Sequence, residues 1–286
     1  MKTVVKNVLW ISNTTMYAIC LFITCLFVDK HNTFLSFTRF EQIIGQLCGL
    51  NVFVYGDDFD PNDSSVIICN HKSMYDILVA FYISGYFNRV IGFCLKKQIA
   101  YVPGIGWWCT YMKFPTLNRN KDDLKILETN NTPFPVIIYP EGTRFNLDKY
   151  SENYKYAKQN DYPISKYAML PKSRGSFVLS TNKKTIYQMT LVYMDEHQRI
   201  MKGEINTFPA RVYVHVKKHD NIPTDENEYK TWLHTQFANI DSIYDNFNHM
   251  NAIKMVPRYK PTDYIIYAGY GLLHLLVGYA FVCAVK

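Results

Sequence analysis

The sequence predicts an α/β protein in which a mainly parallel sheet is flanked by helices, with membrane-embedded helices at the N- and C-termini. Three observations lead to this prediction. Short Val- and Ile-rich runs alternate with helix-like stretches through the middle of the chain, and uncharged apolar segments lie near both ends. Charged residues make up only 19% of the chain and aromatic residues 16%, against roughly 25% charged in ordinary soluble domains. This composition is typical of a protein that keeps part of its surface in lipid.

The N-terminal apolar segment runs from Val8 to Val28 without a charged residue. As a helix it just crosses a hydrocarbon core of roughly 30 Å. Because no small-x-small cleavage site follows, we expect a retained membrane anchor over residues 1–32 rather than a signal peptide. A second apolar segment, Tyr264 to Val285, predicts a C-terminal membrane segment over residues 251–286, as a helix or as a short re-entrant hairpin.

Residues 33–250 are predicted to form one α/β domain. It begins with an amphipathic helix, since apolar residues recur at helical spacing from Phe34 to Leu50. This helix is expected to lie either on the membrane or on the domain. The expected strands are 66–69, 90–95, 136–139, 185–194 and 211–217, with helices after residue 73, over 121–129, near 150–159 and as a polar pair within 224–247.

Charge and cysteine usage limit the partners. The net charge of +7 favours anionic partners such as phosphates, CoA or an acidic membrane surface, and no nucleic-acid partner is predicted. The seven cysteines form no C-x-x-C pair, so we interpret them as reduced thiols and predict no metal site.

His215 and His219 lack a nearby carboxylate set and are interpreted as surface histidines. No G-x-S-x-G, P-loop or H-E-x-x-H motif occurs, which argues against a serine hydrolase, a P-loop enzyme and a zincin.

A polar string, Asn70 to Asp76, follows the first of these strands directly. His71 and Asp76 are five positions apart, so on one helix they would point roughly 140° away from each other. They can pair only if His71 lies in the turn before the helix, with Ser73 as the N-cap and Asp76 folded back as the capping-box acid. Such a carboxylate would orient the imidazole as a general base. The alternative is a capping box beside an incidental histidine.

A second polar string, Glu141 to Arg144, follows the strand at 136–139. The Arg144 guanidinium can hold a phosphate through two hydrogen bonds, and Gly142 lets the backbone approach an anion closely. We expect Arg144 to face His71 and Asp76 across the sheet edge. The alternatives are a local Glu141–Arg144 ion pair and a Glu141 that orients Arg144 within the site.

Taken in order, these residues resemble the motifs of the glycerophospholipid acyltransferase superfamily, the 1-acylglycerol-3-phosphate acyltransferases. The resemblance covers roughly residues 51–247 and is closest to the eukaryotic branch with the lysocardiolipin and lysophosphatidate enzymes. Its four blocks are matched in order by Asn70, His71, Ser73 and Asp76; by Lys97, Pro103, Gly106, Trp107 and Arg119; by Glu141, Gly142, Thr143 and Arg144; and by Leu170 and Pro171.

The resemblance implies an integral-membrane enzyme that moves a fatty acyl group from acyl-CoA to the free hydroxyl of a lysophospholipid, with 1-acyl-glycerol-3-phosphate as the expected acceptor and phosphatidate as the product. His71 would be the general base, Asp76 its support and Arg144 a phosphate ligand. No cofactor is implied beyond acyl-CoA as co-substrate, and the expected location is the endoplasmic reticulum membrane, with a mitochondrial membrane as the alternative. The remaining residues implied in substrate binding are Glu141, Gly142, Thr143, Lys97, Arg119 and Pro171.

Two other functions remain open from the sequence. An acyl-CoA thioesterase would use His71 to activate water instead of a lipid hydroxyl. A membrane protein that binds lipid without turnover would need no catalytic pair, and the presence of His71, Asp76 and Arg144 argues against it. Acceptor headgroup, acyl-chain length and oligomeric state are not predicted.

Overall fold

The computed structural model describes residues 11–12, 14–16, 18–19, 29–60, 65–103, 105–181, 183, 185–193, 197–199, 208–247, 251–256, 263 and 267–270. Helices and strands alternate along most of this length. In chain order they are α1 (Lys30–Leu47), β1 (Asn51–Gly56), β2 (Val66–Cys69), α2 (Asp76–Phe87), β3 (Gly92–Phe93), β4 (Leu95–Lys96), α3 (Lys97–Ala100), α4 (Ile105–Tyr111), β5 (Thr116–Leu117), α5 (Asp122–Glu128), β6 (Val136–Ile138), α6 (Leu147–Gln159), α7 (Ser173–Ser180), β7 (Ile186–Val192), β8 (Arg211–His219), α8 (Glu226–Ala238), α9 (Ile240–Asn246) and β9 (Ile253–Lys254).

The main sheet has seven strands in the order β3-β6-β2-β7-β8-β1-β9. Strand β2 pairs in parallel with β6 and β7, β3 pairs in parallel with β6, and β1 pairs in parallel with β8. Two pairs, β7 with β8 and β1 with β9, are antiparallel. All residues of β2, β6 and β7 are buried, as expected for strands covered on both faces. The predicted α/β fold with a mainly parallel sheet is confirmed.

Three parts of the sheet differ from the expectation. Strand β9, which pairs with β1, was not predicted. Strand β1 was not predicted, because its main partner, β8, lies far along the chain and the sequence gives no local sign of that pairing. The predicted strand over residues 90–95 is divided: β3 joins β6 in the main sheet, whereas β4 pairs with β5 in a separate two-stranded sheet. The division moves Lys96 and the following turn away from the core and toward the carboxyl edge of the main sheet.

Helix α1 packs on the domain, one of the two placements expected for it. Its Phe37 ring contacts the Phe81 ring of α2 edge to face, with 5.0 Å between the ring centroids. Arg39 is buried on the same helix and forms an ion pair with Asp263, with 2.6 Å between Nη2 and Oδ1. Arg39 also donates a hydrogen bond to Asn88. The helix therefore buries polar as well as apolar positions, which explains why it is not simply amphipathic.

The two predicted membrane segments lie largely outside the described residues. Among the residues that are described, no helix combines the length and apolar character needed to cross a bilayer. Two hydrogen bonds tie the N-terminal segment to the domain: Thr14 Oγ1 donates to Glu41 at 3.0 Å, and Trp108 Nε1 donates to the Ala18 carbonyl at 3.0 Å. The domain boundaries at residues 32 and 250 stay predictions.

Candidate active site

Asn70 fixes the point at which the chain leaves the sheet. Its side-chain amide donates to the Leu191 carbonyl at 3.0 Å and accepts the Leu191 N–H at 2.7 Å. The side chain thus replaces one pair of ladder hydrogen bonds with β7. Because those bonds no longer require extended backbone at the end of β2, His71 can turn out toward the carboxyl edge of the sheet.

His71 and Asp76 are in direct contact, as the spacing argument requires. Nδ1 of His71 lies 2.8 Å from Oδ2 of Asp76. The same oxygen accepts the main-chain N–H groups of Lys72 at 2.8 Å and Ser73 at 3.2 Å. The His71 side chain is 25% exposed and the Asp76 side chain 1%. A buried carboxylate therefore holds Nδ1, which leaves Nε2 as the ring nitrogen that can take a proton from a substrate.

The predicted N-cap at Ser73 is wrong in detail. Helix α2 begins at Asp76, and Tyr75 occupies the N-cap position without a side-chain cap bond. The Ser73 hydroxyl instead accepts the Tyr75 N–H at 3.3 Å. The turn is nevertheless closed by Asp76, because its carboxylate bends back and accepts the main-chain N–H groups of Lys72 and Ser73. An acidic residue in the first turn also suits the positive end of the helix dipole.

Glu141 joins the two polar strings. Its Oε1 accepts the His71 N–H at 2.6 Å, and its Oε2 accepts the Met169 N–H at 3.0 Å. The residue is 3% exposed. Burial raises the pKa of the Glu141 carboxyl to about 8, against the opposing effect of the two N–H groups and the Lys72 charge. Glu141 therefore braces the backbone of the site and forms no ion pair with Arg144.

Two further contacts fix His71 from the β6 side. The ring of Tyr139 stacks on the imidazole with 4.4 Å between centroids and 25° between planes. The His71 carbonyl accepts the Phe145 N–H at 2.8 Å. The imidazole is thus held by its ring face, its Nδ1, its main-chain N–H and its carbonyl, so that its orientation is set before substrate arrives.

His71 forms part of the wall of a cleft with a volume of about 270 Å³, called here the His71 cleft. Its wall contains apolar, polar and cationic residues. The lining residues are His71, Cys94, Leu95, Lys96, Leu117, Arg119, Asn120, Asp123, Leu124, Leu127, Ile138, Tyr139, Pro140, Gly142, Lys172, Gly175 and Ser176.

A second cleft of about 540 Å³, the outer cleft, shares part of this wall. The shared residues are Arg119, Asn120, Asp123, Gly142 and Lys172. The other residues of the outer cleft are Glu141, Thr143, Lys149, Glu152, Asn153 and Met169. Because Arg119 and Lys172 stand between the two clefts, an anion bound there would lie at the mouth of the His71 cleft.

Arg119 is held in place by an unusual loop. Its φ of 65° is in the left-handed region, and the Asp123 carboxylate accepts the main-chain N–H groups of Asn118, Arg119 and Asn120. The Arg119 guanidinium donates to the Gly142 carbonyl at 2.8 Å. Gly142 itself has a φ of 68°, and a Cβ there would lie 3.8 Å from the Lys172 ammonium. The second and third blocks therefore meet at this bond.

Arg144 is exposed and does not line either cleft, so the structure does not place it against His71 and Asp76. It belongs to a cationic group with Arg119 and Lys149. Burial, followed by the charges of Arg119, Arg144 and Lys149 in that order, lowers the pKa of the Lys96 ammonium.

The other substrate-binding candidates divide between the clefts and the surface. Thr143 lines the outer cleft and accepts a hydrogen bond from Lys149 at 2.9 Å. Lys97 is exposed at the start of α3 and lies outside both clefts, whereas its neighbour Lys96 lines the His71 cleft. Pro171 is buried, and its carbonyl accepts from His234 at 3.2 Å, so its contribution is to shape the turn that carries Lys172.

Lys72 is a buried residue of the site to which the sequence analysis assigned no role. Its side chain is 1% exposed. The ammonium donates to the Tyr167 carbonyl and to His197 Nδ1, the latter at 3.0 Å, and lies 4.2 Å from the centroid of the Phe145 ring. Burial, followed by the Lys72 charge, lowers the pKa of His197 to about 3. The only sign in the sequence was the position of Lys72 beside His71.

No cluster of three or more His, Cys, Asp or Glu side chains suited to a metal ion occurs within the described ranges. The groups that the site does offer are a supported imidazole, main-chain donors and several cations. This set fits proton transfer next to an anionic group.

A family model described as Acyltransferase matches residues 51–191, which include β2, the His71–Asp76 pair and the Glu141 brace. This part of the chain is an acyltransferase domain, and it carries both polar strings. The resemblance seen in the four blocks is confirmed.

Several curated proteins are similar to the domain. A 1-acyl-sn-glycerol-3-phosphate acyltransferase 2 from Brassica napus is 28% identical over 229 residues, covering 71% of this chain and 57% of its own. Lysocardiolipin acyltransferase 1 from Mus musculus is 25% identical over 217 residues, covering 68% and 57%. A human 1-acyl-sn-glycerol-3-phosphate acyltransferase delta is 26% identical over 215 residues, covering 70% and 57%. The matched part is a little over half the length of these relatives.

A solved structure shares the fold of the acyltransferase domain. The crystal structure of the 1-acyl-sn-glycerophosphate acyltransferase PlsC from Thermotoga maritima superposes with a TM-score of 0.61 at 15% sequence identity. The match covers 87% of this chain and 98% of PlsC. At this identity the similarity establishes the fold.

Proposed function

We propose that the protein transfers a fatty acyl group from acyl-CoA to the free hydroxyl of a lysophospholipid, with 1-acyl-glycerol-3-phosphate as the acceptor and phosphatidate as the product. The observation that carries the proposal is the 2.8 Å contact between His71 and Asp76 at the wall of a cleft that is also lined by cationic residues. The named relatives, which include 1-acyl-sn-glycerol-3-phosphate and lysocardiolipin acyltransferases, support the same class of acceptor.

In the proposed reaction, His71 Nε2 removes the proton from the acceptor hydroxyl as its oxygen attacks the thioester carbonyl. Asp76 keeps Nδ1 engaged, so that Nε2 stays the basic nitrogen and the developing imidazolium is stabilised. The tetrahedral intermediate then collapses: the C–S bond breaks, the ester forms, and the proton leaves with CoA as its thiol. General-base help of this kind contributes typically about 10² to 10⁴-fold.

The acceptor phosphate is proposed to bind between Arg119 and Lys172. Both residues line the His71 cleft and the outer cleft, and a planar guanidinium can grip a phosphate through two hydrogen bonds. Arg144, which the resemblance implies as the phosphate ligand, is proposed to strengthen the positive field from outside the cleft. An acceptor held in this way would present its hydroxyl toward His71.

The remaining walls suit the acyl group and the developing oxyanion. Leu95, Leu124 and Ile138 are apolar residues that line the His71 cleft, and an acyl chain packed on them would leave water. Lys96 lines the same cleft and is proposed to stabilise the oxyanion of the tetrahedral intermediate. Lys97 was expected to bind substrate, and of the two lysines its neighbour Lys96 is the one that lines the cleft.

Both substrates are amphiphiles that partition to membranes, so we propose that the enzyme is membrane-resident, with the apolar segments at its two ends as anchors. The endoplasmic reticulum membrane is the proposed location, from the family resemblance.

The test supplies purified full-length protein with acyl-CoA, with and without lysophosphatidate, and follows free CoA thiol and phosphatidate together. The proposal expects thiol release that depends on the acceptor and equals the phosphatidate formed. Thiol release without acceptor would instead establish a thioesterase. Lipid binding without turnover across a panel of lysophospholipids would indicate a non-catalytic lipid-binding protein.

A further inference from the structure

The turn between α3 and α4 exposes large apolar side chains that the proposed reaction does not use. Tyr101 is 70% exposed and Val102 42% exposed at its tip, and Trp107 and Tyr111 on α4 are 41% and 42% exposed. We call these four residues the aromatic turn. Single exposed apolar residues are ordinary on protein surfaces, but a contiguous group of this size marks an interaction site.

Close backbone packing joins α4 to the end of α3. A Cβ at Gly106 would lie 2.2 Å from the Ile99 carbonyl oxygen, and the Gly106 N–H donates to the Val102 carbonyl at 2.9 Å. The start of α4 is therefore packed against the end of α3 at backbone distance. Such close packing holds Tyr101 and Val102 at the tip.

Helix α4 is amphipathic in an unusual sense, because its outward face is aromatic. Trp107 and Tyr111 are four residues apart and share the exposed face, whereas Trp108, Cys109 and Met112 point into the protein at 1–3% exposure. The buried face is packed on α1, where the Trp108 ring lies 6.4 Å from Phe34 between centroids. Helix α4 therefore already has a complete buried face, and its aromatic outward face is additional to the core.

One described residue of the N-terminal apolar segment is bonded to this helix. The Trp108 indole donates its N–H to the Ala18 carbonyl at 3.0 Å, and Ala18 lies in the middle of the uncharged stretch from Val8 to Val28. If that stretch enters lipid, the bond keeps α4 next to it. The aromatic turn then lies close to the bilayer.

Basic residues surround the aromatic turn. Lys97 begins α3 and Lys113 follows α4, and both are exposed. Lys30, which follows the apolar segment, places its ammonium 5.8 Å from the centroid of the Tyr111 ring. Tyr and Trp rings with a polar tip, flanked by lysines, match the layered chemistry of an anionic membrane surface: apolar chains beneath and phosphate headgroups above.

We propose that the aromatic turn inserts into the interfacial layer of an anionic membrane, with Lys30, Lys97 and Lys113 on the lipid headgroups. This contact is separate from any anchoring by the terminal segments. It fixes the orientation of the domain on the bilayer, so that the clefts open at a defined height above it. The inference concerns membrane contact alone and does not depend on the proposed reaction.

The test uses fluorescence quenching by brominated lipids in proteoliposomes that contain an anionic lipid and the full-length protein. The chain has four tryptophans: Trp10, Trp107, Trp108 and Trp232. Trp107→Phe is expected to lose part of the quenchable emission, because it removes the lipid-facing indole. Trp232→Phe, which changes α8, serves as the matched control and is expected to keep the quenchable emission of the unsubstituted protein.

A second pair of variants controls for the case in which Trp107→Phe changes the local structure and loses quenching for that reason. Tyr101→Trp, made in the Trp107→Phe background, is expected to restore quenchable emission from the tip of the turn. Tyr156→Trp in the same background, at an α6 site that is 53% exposed, is expected to add emission that brominated lipid does not quench. Equal quenching in Trp107→Phe and the unsubstituted protein, or no quenching of Tyr101→Trp, would overturn the proposal and favour a protein partner or a second copy at this surface.

Discussion

The Glu141 carboxylate accepts the main-chain N–H of His71 at 2.6 Å. This bond joins the two polar strings of the sequence through the backbone of the proposed base. The other oxygen of Glu141 holds Met169 at 3.0 Å, so one buried carboxyl fixes two loops at the carboxyl edge of the sheet. The geometry of the His71–Asp76 pair therefore depends on a residue that touches neither the Asp76 side chain nor the imidazole.

Glu141 predicts a specific dependence of stability on pH. Burial raises its pKa from 4.5 to about 8 in the folded protein, so the folded state binds this proton more tightly than the unfolded chain does. Its contribution to stability is fully present below pH 4.5 and is lost as the pH rises to about 8. Glu141→Gln keeps a neutral side chain at every pH and therefore removes this pH dependence.

The measurement is the thermal midpoint of the solubilised protein across that pH range. We expect the midpoint of the unsubstituted protein to fall relative to that of Glu141→Gln as the pH rises, whereas Glu128→Gln, at an exposed site on α5, tracks the unsubstituted protein. Parallel curves for the unsubstituted protein and Glu141→Gln would show that Glu141 does not titrate in this range. Glu141→Ala leaves two buried N–H groups without an acceptor and is expected to cost about 1–3 kcal/mol for each.

Lys72 is predicted to position the catalytic pair through its own backbone. Its N–H donates to Asp76, and its ammonium is fixed between the Tyr167 carbonyl and the Phe145 ring. Lys72→Met removes the anchor, and we expect kcat to fall about tenfold or more with the KM for acyl-CoA nearly unchanged. Steady-state kinetics with Lys166→Met, a lysine that is 69% exposed, give the comparison. A lower thermal midpoint with unaltered kcat would mean that Lys72 stabilises the fold alone.

The two arginines of the motifs are predicted to differ in their effect on acceptor binding. Arg119 lines both clefts, whereas Arg144 is exposed beside them. A charge-assisted hydrogen bond contributes about 1.5–3 kcal/mol, which corresponds to roughly 10 to 100-fold in affinity. We therefore expect Arg119→Ala to raise the KM for lysophosphatidate by roughly that factor and Arg144→Ala to raise it less. A larger rise in this KM for Arg144→Ala than for Arg119→Ala would instead place the phosphate on the protein surface next to Arg144.

The sequence was sufficient to predict the contact between His71 and Asp76, because a spacing of five residues excludes a shared helix face and leaves the turn geometry. It also predicted most strands of the sheet, since buried parallel strands consist of continuous apolar residues. The role of Ser73 could not be predicted in the same way. A serine three residues before an acid is typical of an N-cap, but the Asp76 carboxylate satisfies the turn's donors itself.

Long-range contacts were not accessible from local patterns. The pairing of β1 with β8, the burial of Lys72 among aromatic rings from distant segments, and the bond between Arg119 and the Gly142 carbonyl all join parts of the chain far apart in sequence. Arg144 lies in a fully matched motif, yet its exposure depends on how the loop before α6 leaves the sheet. The order of the four motif blocks along the sequence identified the candidate active site. The fold determines which of its Lys and Arg side chains line the clefts.

The central claim is that His71 is the general base of an acyl transfer to a lipid hydroxyl. The most direct test is acceptor-dependent release of CoA thiol by purified full-length protein and by His71→Ala, with acyl-CoA and lysophosphatidate at saturating concentration. The account predicts that kcat falls by about 10² to 10⁴-fold in His71→Ala, while the thermal midpoint stays near that of the unsubstituted protein. A kcat for His71→Ala equal to that of the unsubstituted protein would contradict it.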